Sequence, residues 1–318
     1  MVQYLIKRTA MALIVVVLLA VFLALLVHVV PGDPVTSILG PRATPDLIHM
    51  VRTQMELDKP VPRQVVDFVG RAAHGDLGRD FISNVPVSHL IANALPHTIA
   101  LAVAGLGLAM LLGVPLGVLA ATRPNGILDR LTGVVSISLM TTPSYVAGLF
   151  LLLLFALDVP WFPAVGTGTF SHPLDYLRHL VLPAVALALG WIGYFARLVR
   201  ASMLEVMNTN YIRTAYAYGL GERVIFYRHA LRNAIIPTVA VLGVGLGELM
   251  GGAVFIESIF SRVGLGTLIV DSIQNRNYPV VRGAVLTIAL LFVLANLLAD
   301  LSYRFLDPRI RVEESAAP

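Results

Sequence analysis

The side chains able to do chemistry are few in this sequence, and their spacing excludes most catalytic classes. There is no cysteine, which removes thiolate nucleophiles, thiolate metal sites and disulfides. His28, His97, His172 and His179 stand in no H-E-x-x-H or comparable ligand pattern, so no metal site is expected. A G-x-S-x-G nucleophile elbow is absent, and no catalytic residue is assigned. The only lysines are Lys7 and Lys59, and neither sits in the G-x-x-x-x-G-K-[ST] pattern of a phosphate-binding loop. The chain is therefore expected to be no enzyme and to hold no cofactor. Energy for any uphill movement of a solute must come from another polypeptide.

Two carboxylates lie within the apolar stretch 235–260, and ionisable residues in such places are functional candidates by default. Glu248 is near the midpoint of an apolar stretch and shares a helical face with Gly245, Gly251 and Gly252. Those glycines allow close helix packing or open a cavity for a solute. Glu257 lies nine residues on, about half a helical rotation away, so a straight helix does not point both acids at one pore. Glu248 has two readings: contact with a solute, for which a cationic or amine-bearing one suits it, or a buried acid paired with a polar neighbour. Pro143, flanked by Thr141, Thr142 and Ser144, either unwinds its helix and offers carbonyls to a pore or simply kinks it. Arg197 and Arg200 read as snorkelling side chains, and Asn296 with Asp300 as packing hydrogen bonds.

The elements that must carry these residues follow from composition. Of 318 residues, 57% are hydrophobic and 13% charged, against about 25% charged in ordinary soluble domains. The mean hydropathy is +0.80. Six stretches meet the spanning length of about 20 apolar residues: Thr9–Val30, Thr98–Ala121, Leu131–Leu157, Leu180–Met203, Ile235–Phe260 and Val280–Phe305. Helices are the expected form, because lipid cannot satisfy open backbone groups and strand-like alternation is missing. The first stretch exceeds a signal-peptide core and no A-x-A-like site follows it, so it reads as a span. Lys7, Arg8, Arg123, Arg130, Arg197, Arg200, Arg213, Arg223, Arg228, Arg232, Arg304, Arg309 and Arg311 collect on one side. Arg178, Arg262, Arg276 and Arg282 lie on the other, which places both termini in the cytoplasm. The division expected is 1–30 for the terminus and first span, 31–97 for an extracytoplasmic element, 98–305 for the core and 306–318 for a cytoplasmic tail. Within 31–97, Thr44–Met55 and Val61–Ala73 show helical patterns.

Between the fourth and fifth spans, residues 208–236 read as two short helices. Asn208 or Asn210 is expected to cap the first. Gly219 is placed to end it, where positive φ is tolerated. A second runs from about Glu222 and breaks before Pro237. Ile212, Ala215, Tyr216 and Gly219 share one face. That face either seats on a protein partner or lies flat on the membrane with its basic residues near lipid phosphates.

This segment resembles the EAA loop of ABC importer permeases. Arg213, Thr214 and Ala215 stand at E-A-A, Gly219 at the glycine, and His229 and Leu231 at the following I and L. Arg232 replaces the proline, a departure typical of the dipeptide and oligopeptide branch. Further matches run along nearly the whole chain: Pro31-Gly-Asp-Pro34, Leu57-Asp-Lys-Pro60, His74-Gly-Asp-Leu-Gly78, Leu95-Pro-His-Thr-Ile99, Gly251 to Ser258, Gly264 to Leu268, Arg276-Asn-Tyr-Pro279 and Leu306 to Arg311.

The resemblance implies an all-α integral membrane chain with the type I importer (MetI-like) permease fold, six spans and an external loop after the first. It implies the pore-forming subunit of an importer of dipeptides or oligopeptides in the cell membrane. Other relatives serve glutathione, nickel chelates or haem. The partners implied are a homologous second permease, two ATPase domains that bind ATP and magnesium, and an extracytoplasmic solute-binding protein; nucleic acid is not among them. The coupling segment would comprise Tyr211, Arg213, Thr214, Ala215, Gly219, Leu220, Glu222 and Arg223. The candidate path residues are Glu248, Glu257, Met140 and Pro143, with Glu257 matching an acidic family position. Two other classes were weighed. An ion-driven secondary transporter favours internal repeats and paired intramembrane charges, and an intramembrane enzyme needs a constellation that is not found.

Overall fold

A computed structural model describes residues 2–29, 44–54 and 58–306 of the chain. The expectations for Pro31 to Pro34, for Leu57 and for residues 307–318 lie outside these. The described helices are α1 Val2–Val29, α2 Pro45–Gln54, α3 Val61–Ala73, α4 Val87–Thr122, α5 Ile127–Thr141, α6 Ser144–Leu152, α7 Pro173–Met207, α8 Asn210–Ala217, α9 Glu222–Val224, α10 Leu231–Ala234, α11 Ile236–Ala240, α12 Leu242–Ile259, α13 Leu265–Gln274 and α14 Tyr278–Leu306. Two π segments intervene, at Leu153–Asp158 after α6 and at Ile225–Ala230 between α9 and α10. The expected external helices appear as α2 and α3, close to the boundaries read from the sequence.

Among the described residues, five helices are long and apolar enough to cross a membrane, and α5 with α6 make a sixth if taken together. The third span is where expectation and structure part. In place of a tilted or kinked helix through 131–157, α5 and α6 meet at 97°. The cause is local. Thr142 precedes a proline and is extended at φ −82°, ψ 117°, and Pro143 is extended at φ −60°, ψ 139°. The pyrrolidine ring disfavours helix in the residue before it, so two consecutive residues leave the helical region and the axis turns.

The chain divides into two compact units. The first comprises Met1–Thr98 and Val263–Val293. In it Phe68 of α3 packs with Ala20, Leu23 and Ala24 of α1 and Leu286 of α14. A second core joins Val87, Ile91 and Ala94 of α4 to Leu265 and Ile269 of α13 and to Val280 and Ala284 of α14. Asp80 organises the turn before α4. It accepts hydrogen bonds from the amides of Ile82 (3.0 Å) and Ser83 (3.1 Å), from the Ser83 hydroxyl and from the Asn277 amide group. Burial works against its charge, but these donors outweigh it and hold the carboxyl below its usual value. At α3 a hydrogen bond from Lys59 (2.7 Å) likewise lowers the Asp67 carboxyl.

The second unit comprises Ile99–Arg262 and Leu294–Pro318. Its hub is α7, with fourteen buried residues. Glycine lets two helices approach α7 closely. A Cβ at Gly117 of α4 would stand 2.6 Å from the Ala196 carbonyl, and one at Gly113 would stand 2.8 Å from that of Ile192. The spacing Gly113-x₃-Gly117 is the small-residue contact of membrane helices, where close backbone packing replaces the missing hydrophobic drive. On α5, Gly193 of α7 meets the Ser136 carbonyl in the same way. Asp129 of α5 accepts both ends of the Arg200 guanidinium of α7, one bond at 2.7 Å. Arg200 is thus an inter-helix clamp and not a snorkelling side chain, which corrects the sequence expectation. The side chain of Asp300 lies outside those described.

Candidate functional site

The segment after α7 is built as a braced knob. Neither asparagine caps α8. The N-cap is Thr209, with no side-chain bond to the helix. Its hydroxyl instead donates to the Val206 carbonyl at 2.6 Å, and Asn208 donates to Leu204 at 3.0 Å, so both finish α7. At its other end α8 closes as expected. Gly219 has φ +74°. Its amide donates to the Tyr216 carbonyl (2.9 Å) and that of Leu220 to the Ala215 carbonyl (3.3 Å), the paired bonds of a Schellman stop.

The face of α8 that carries Ile212 and Ala215 does not look outward. Ile212 is 0% exposed and Ala215 7%, enclosed with Val199 and Met203 of α7, Val118 and Ala121 of α4, and Ile225, Phe226, Ala230 and Ala234. The π segment makes this possible, because its wider turn brings Ile225, Phe226 and Ala230 onto the same side. Tyr211 is tied down as well, its hydroxyl accepting from Asn233 at 2.7 Å. The expectation of an outward apolar face is therefore corrected: Ala215 belongs to the interior. Tyr211, Arg213, Thr214, Gly219, Leu220, Glu222 and Arg223 remain on the surface. Sequence reasoning passed over Tyr218, 81% exposed beside Gly219, and the exposed Val224, and grouped Tyr216 with the face of Ile212 although it is exposed. Large side chains crowded into a short helix with little charge were the available signal.

The two acids of α12 have opposite fates. Glu257 is 1% exposed at the end of the helix. Arg262, equally enclosed, returns toward it. Its amide donates to the Glu257 carbonyl at 2.8 Å. Its guanidinium donates to the His179 carbonyl at 2.7 Å and lies 5.8 Å from the Tyr176 ring centre. Burial lowers the Arg262 pKa, opposed by the charges of Tyr176 and Glu257. This cluster fastens the end of α12 to α7.

Glu248, by contrast, is exposed and makes no hydrogen bond or ion pair among the described residues. The glycines grouped with it separate into two roles. Gly245 and Gly252 close onto Trp191 and Leu187 of the chain's own interior, whereas Gly251 borders open space. Met140 and Pro143 are also exposed, on either side of the break between α5 and α6. A charged side chain at the centre of a spanning helix costs about 3 kcal/mol against lipid, so the Glu248 face calls for water, solute or a polar protein surface.

Membrane-length helices, a short helix braced against two of them and an unpaired carboxylate partway along a span suit a membrane component. The comparisons agree. Residues 113–312 match the family described as binding-protein-dependent transport system inner membrane component, and residues 1–102 match its N-terminal part. The chain belongs to this family. It is 40% identical over 316 residues to a putative peptide transport system permease protein of Brucella abortus, covering 98% of this chain and 100% of that one. It is 37% identical over 309 residues to a probable peptide ABC transporter permease protein of Sinorhizobium fredii, covering 97% and 99%. A glutathione transport system permease protein of Shigella flexneri is 35% identical over 311 residues, covering 98% and 99%. Among solved structures, an inward-facing methionine ABC transporter matches with a TM-score of 0.58 at 20% identity, covering 69% of this chain and 96% of that one. That likeness supports the fold, which is the type I permease fold the sequence suggested.

Proposed function

We propose that this chain is one of two pore-forming permeases in an ATP-driven importer of short peptides. It works with a homologous second permease, two ATPase domains that bind ATP and magnesium, and an extracytoplasmic binding protein that delivers the solute. Both termini and the α8 knob lie in the cytoplasm. The names of the Brucella and Sinorhizobium relatives favour peptides, and that of the Shigella relative favours glutathione, itself a tripeptide.

The observation that carries the coupling role is the bracing of α8. With Ile212 and Ala215 held in the core and Gly219 closing the helix, a push on its outer side moves α7 and α4 with it. The outer side offers Tyr211, Arg213, Thr214, Tyr218, Leu220, Glu222 and Arg223 to the ATPase. The test is reconstitution of the complete complex in vesicles. Leu220→Asp with Arg223→Glu is expected to release the ATPase during purification and to abolish ATP-dependent peptide uptake. Uptake by this chain without any ATPase would overturn the assignment.

A further inference from the structure

The outward face of α12 is narrow and chemically mixed. It consists of Val244, Glu248, Gly251 and Phe255, which at 100° per residue fall within about 60° of one another. Gly251 adds no side chain beside Glu248, and a Cβ there would meet nothing within 4 Å, so the carboxylate borders open space. Two turns from the carboxylate, Phe255 pairs with Tyr145 of α6, ring centres 6.2 Å apart and tilted by 50°. Both rings are exposed. The face therefore offers an anion, open space and an aromatic ledge in line.

The spacing carries a size. Seven residues of helix advance about 10 Å, and an extended peptide advances about 3.4 Å per residue. The distance from Glu248 to the ledge is about three peptide residues. Charge complementarity then selects what the solute presents at Glu248.

We propose that Glu248 binds the protonated amino group of the transported solute, while Tyr145 and Phe255 hold an apolar side chain about three residues along. The path would thus favour short peptides with a free amino terminus over blocked or anionic solutes. This rests on the importer reading above and adds the chemistry of the ligand.

The absence of native cysteine makes a direct test available. Gly251→Cys is introduced into the full complex in membrane vesicles without ATP. It is then labelled with trimethylammonium-bearing or sulfonate-bearing methanethiosulfonates, and the reaction is followed by the mass of this chain. The expected result is a preference of at least tenfold for the cationic reagent, lost in Glu248→Gln. A mixture of free-amine tripeptides should slow labelling, and its N-acetylated counterpart should not. Val244→Cys serves as the second reporter should the first variant misfold. Equal rates for the two reagents, no reaction with either, or equal protection by blocked peptides would overturn the proposal. Failure of the importer reading is seen separately, as absence of ATP-dependent tripeptide uptake by the unaltered complex.

Discussion

The middle of α12 and its C-terminal end treat a glutamate in opposite ways. At one end Glu257 is enclosed beside Arg262, and around them Tyr176 and the His179 carbonyl complete a closed polar cluster. Partway along the helix, Glu248 meets no protein partner among the described residues, and nearby Gly251 borders open space. Same residue type, same helix, nine positions apart: the difference is the element returning from the helix end. The turn after Ile259 folds Arg262 back to the outer acid, whereas no cation-bearing turn reaches the middle of a span. A buried charge that is matched serves the fold, and an unmatched one on an open face is left for a ligand.

The comparison breaks most easily at Arg262. Arg262→Ala removes the bond to the His179 carbonyl and the positive charge that faces the enclosed Glu257, and is expected to cost about 3 kcal/mol, read as a lower melting temperature of the purified chain. Asp80 sharpens the contrast, being an acid closed by neutral donors and not by a cation. Asp80→Ala should cost about 2 kcal/mol, the scale of hydrogen bonds to a charged group. Its folded pKa is depressed. Its stabilisation is therefore complete above the unfolded value of about 3.9 and is lost as pH falls from there through the folded value. An acid unfolding titration of wild type against Asp80→Ala reads this. Gly219→Ala is expected to cost about 1 kcal/mol through backbone strain alone, because the site at φ +74° has room for a methyl group. Faster hydrogen exchange at the Leu220 amide would report it. The smallest effect on stability is expected at Glu248. Glu248→Gln should shift the unfolding free energy by less than about 0.5 kcal/mol, as for a surface change, while altering uptake. A melting shift like that of Arg262→Ala would erase the distinction between the two acids.

Much of this was legible in the residues. The spans, the helices α2 and α3 and the stop at Gly219 followed from hydropathy, periodicity and one glycine. So did the divergence of Glu248 from Glu257, which needs only the helical pitch. Three features were not legible, each for a physical reason. Pro143 announces the break and disfavours helix at Thr142, but the 97° at which α5 and α6 meet is not set by that local preference. The pairing of Arg200 with Asp129, 71 residues away, is a tertiary fact that local pattern cannot carry. The covered side of α8 was misjudged because periodicity identifies an apolar face without naming its neighbour. Here the chain supplies the cover itself, through a π turn that no propensity scale reveals.

The continuity of α7 with its knob has a mechanical consequence. Thirty-five residues of continuous helix, with Pro183 inside it, have a contour of about 52 Å, more than the roughly 40–45 Å of a bilayer with its headgroups. Such a rod acts as a lever arm. A swing of about 5° at the knob would carry its far tip some ~4–5 Å over that length, enough to part or close a passage on the opposite side of the membrane.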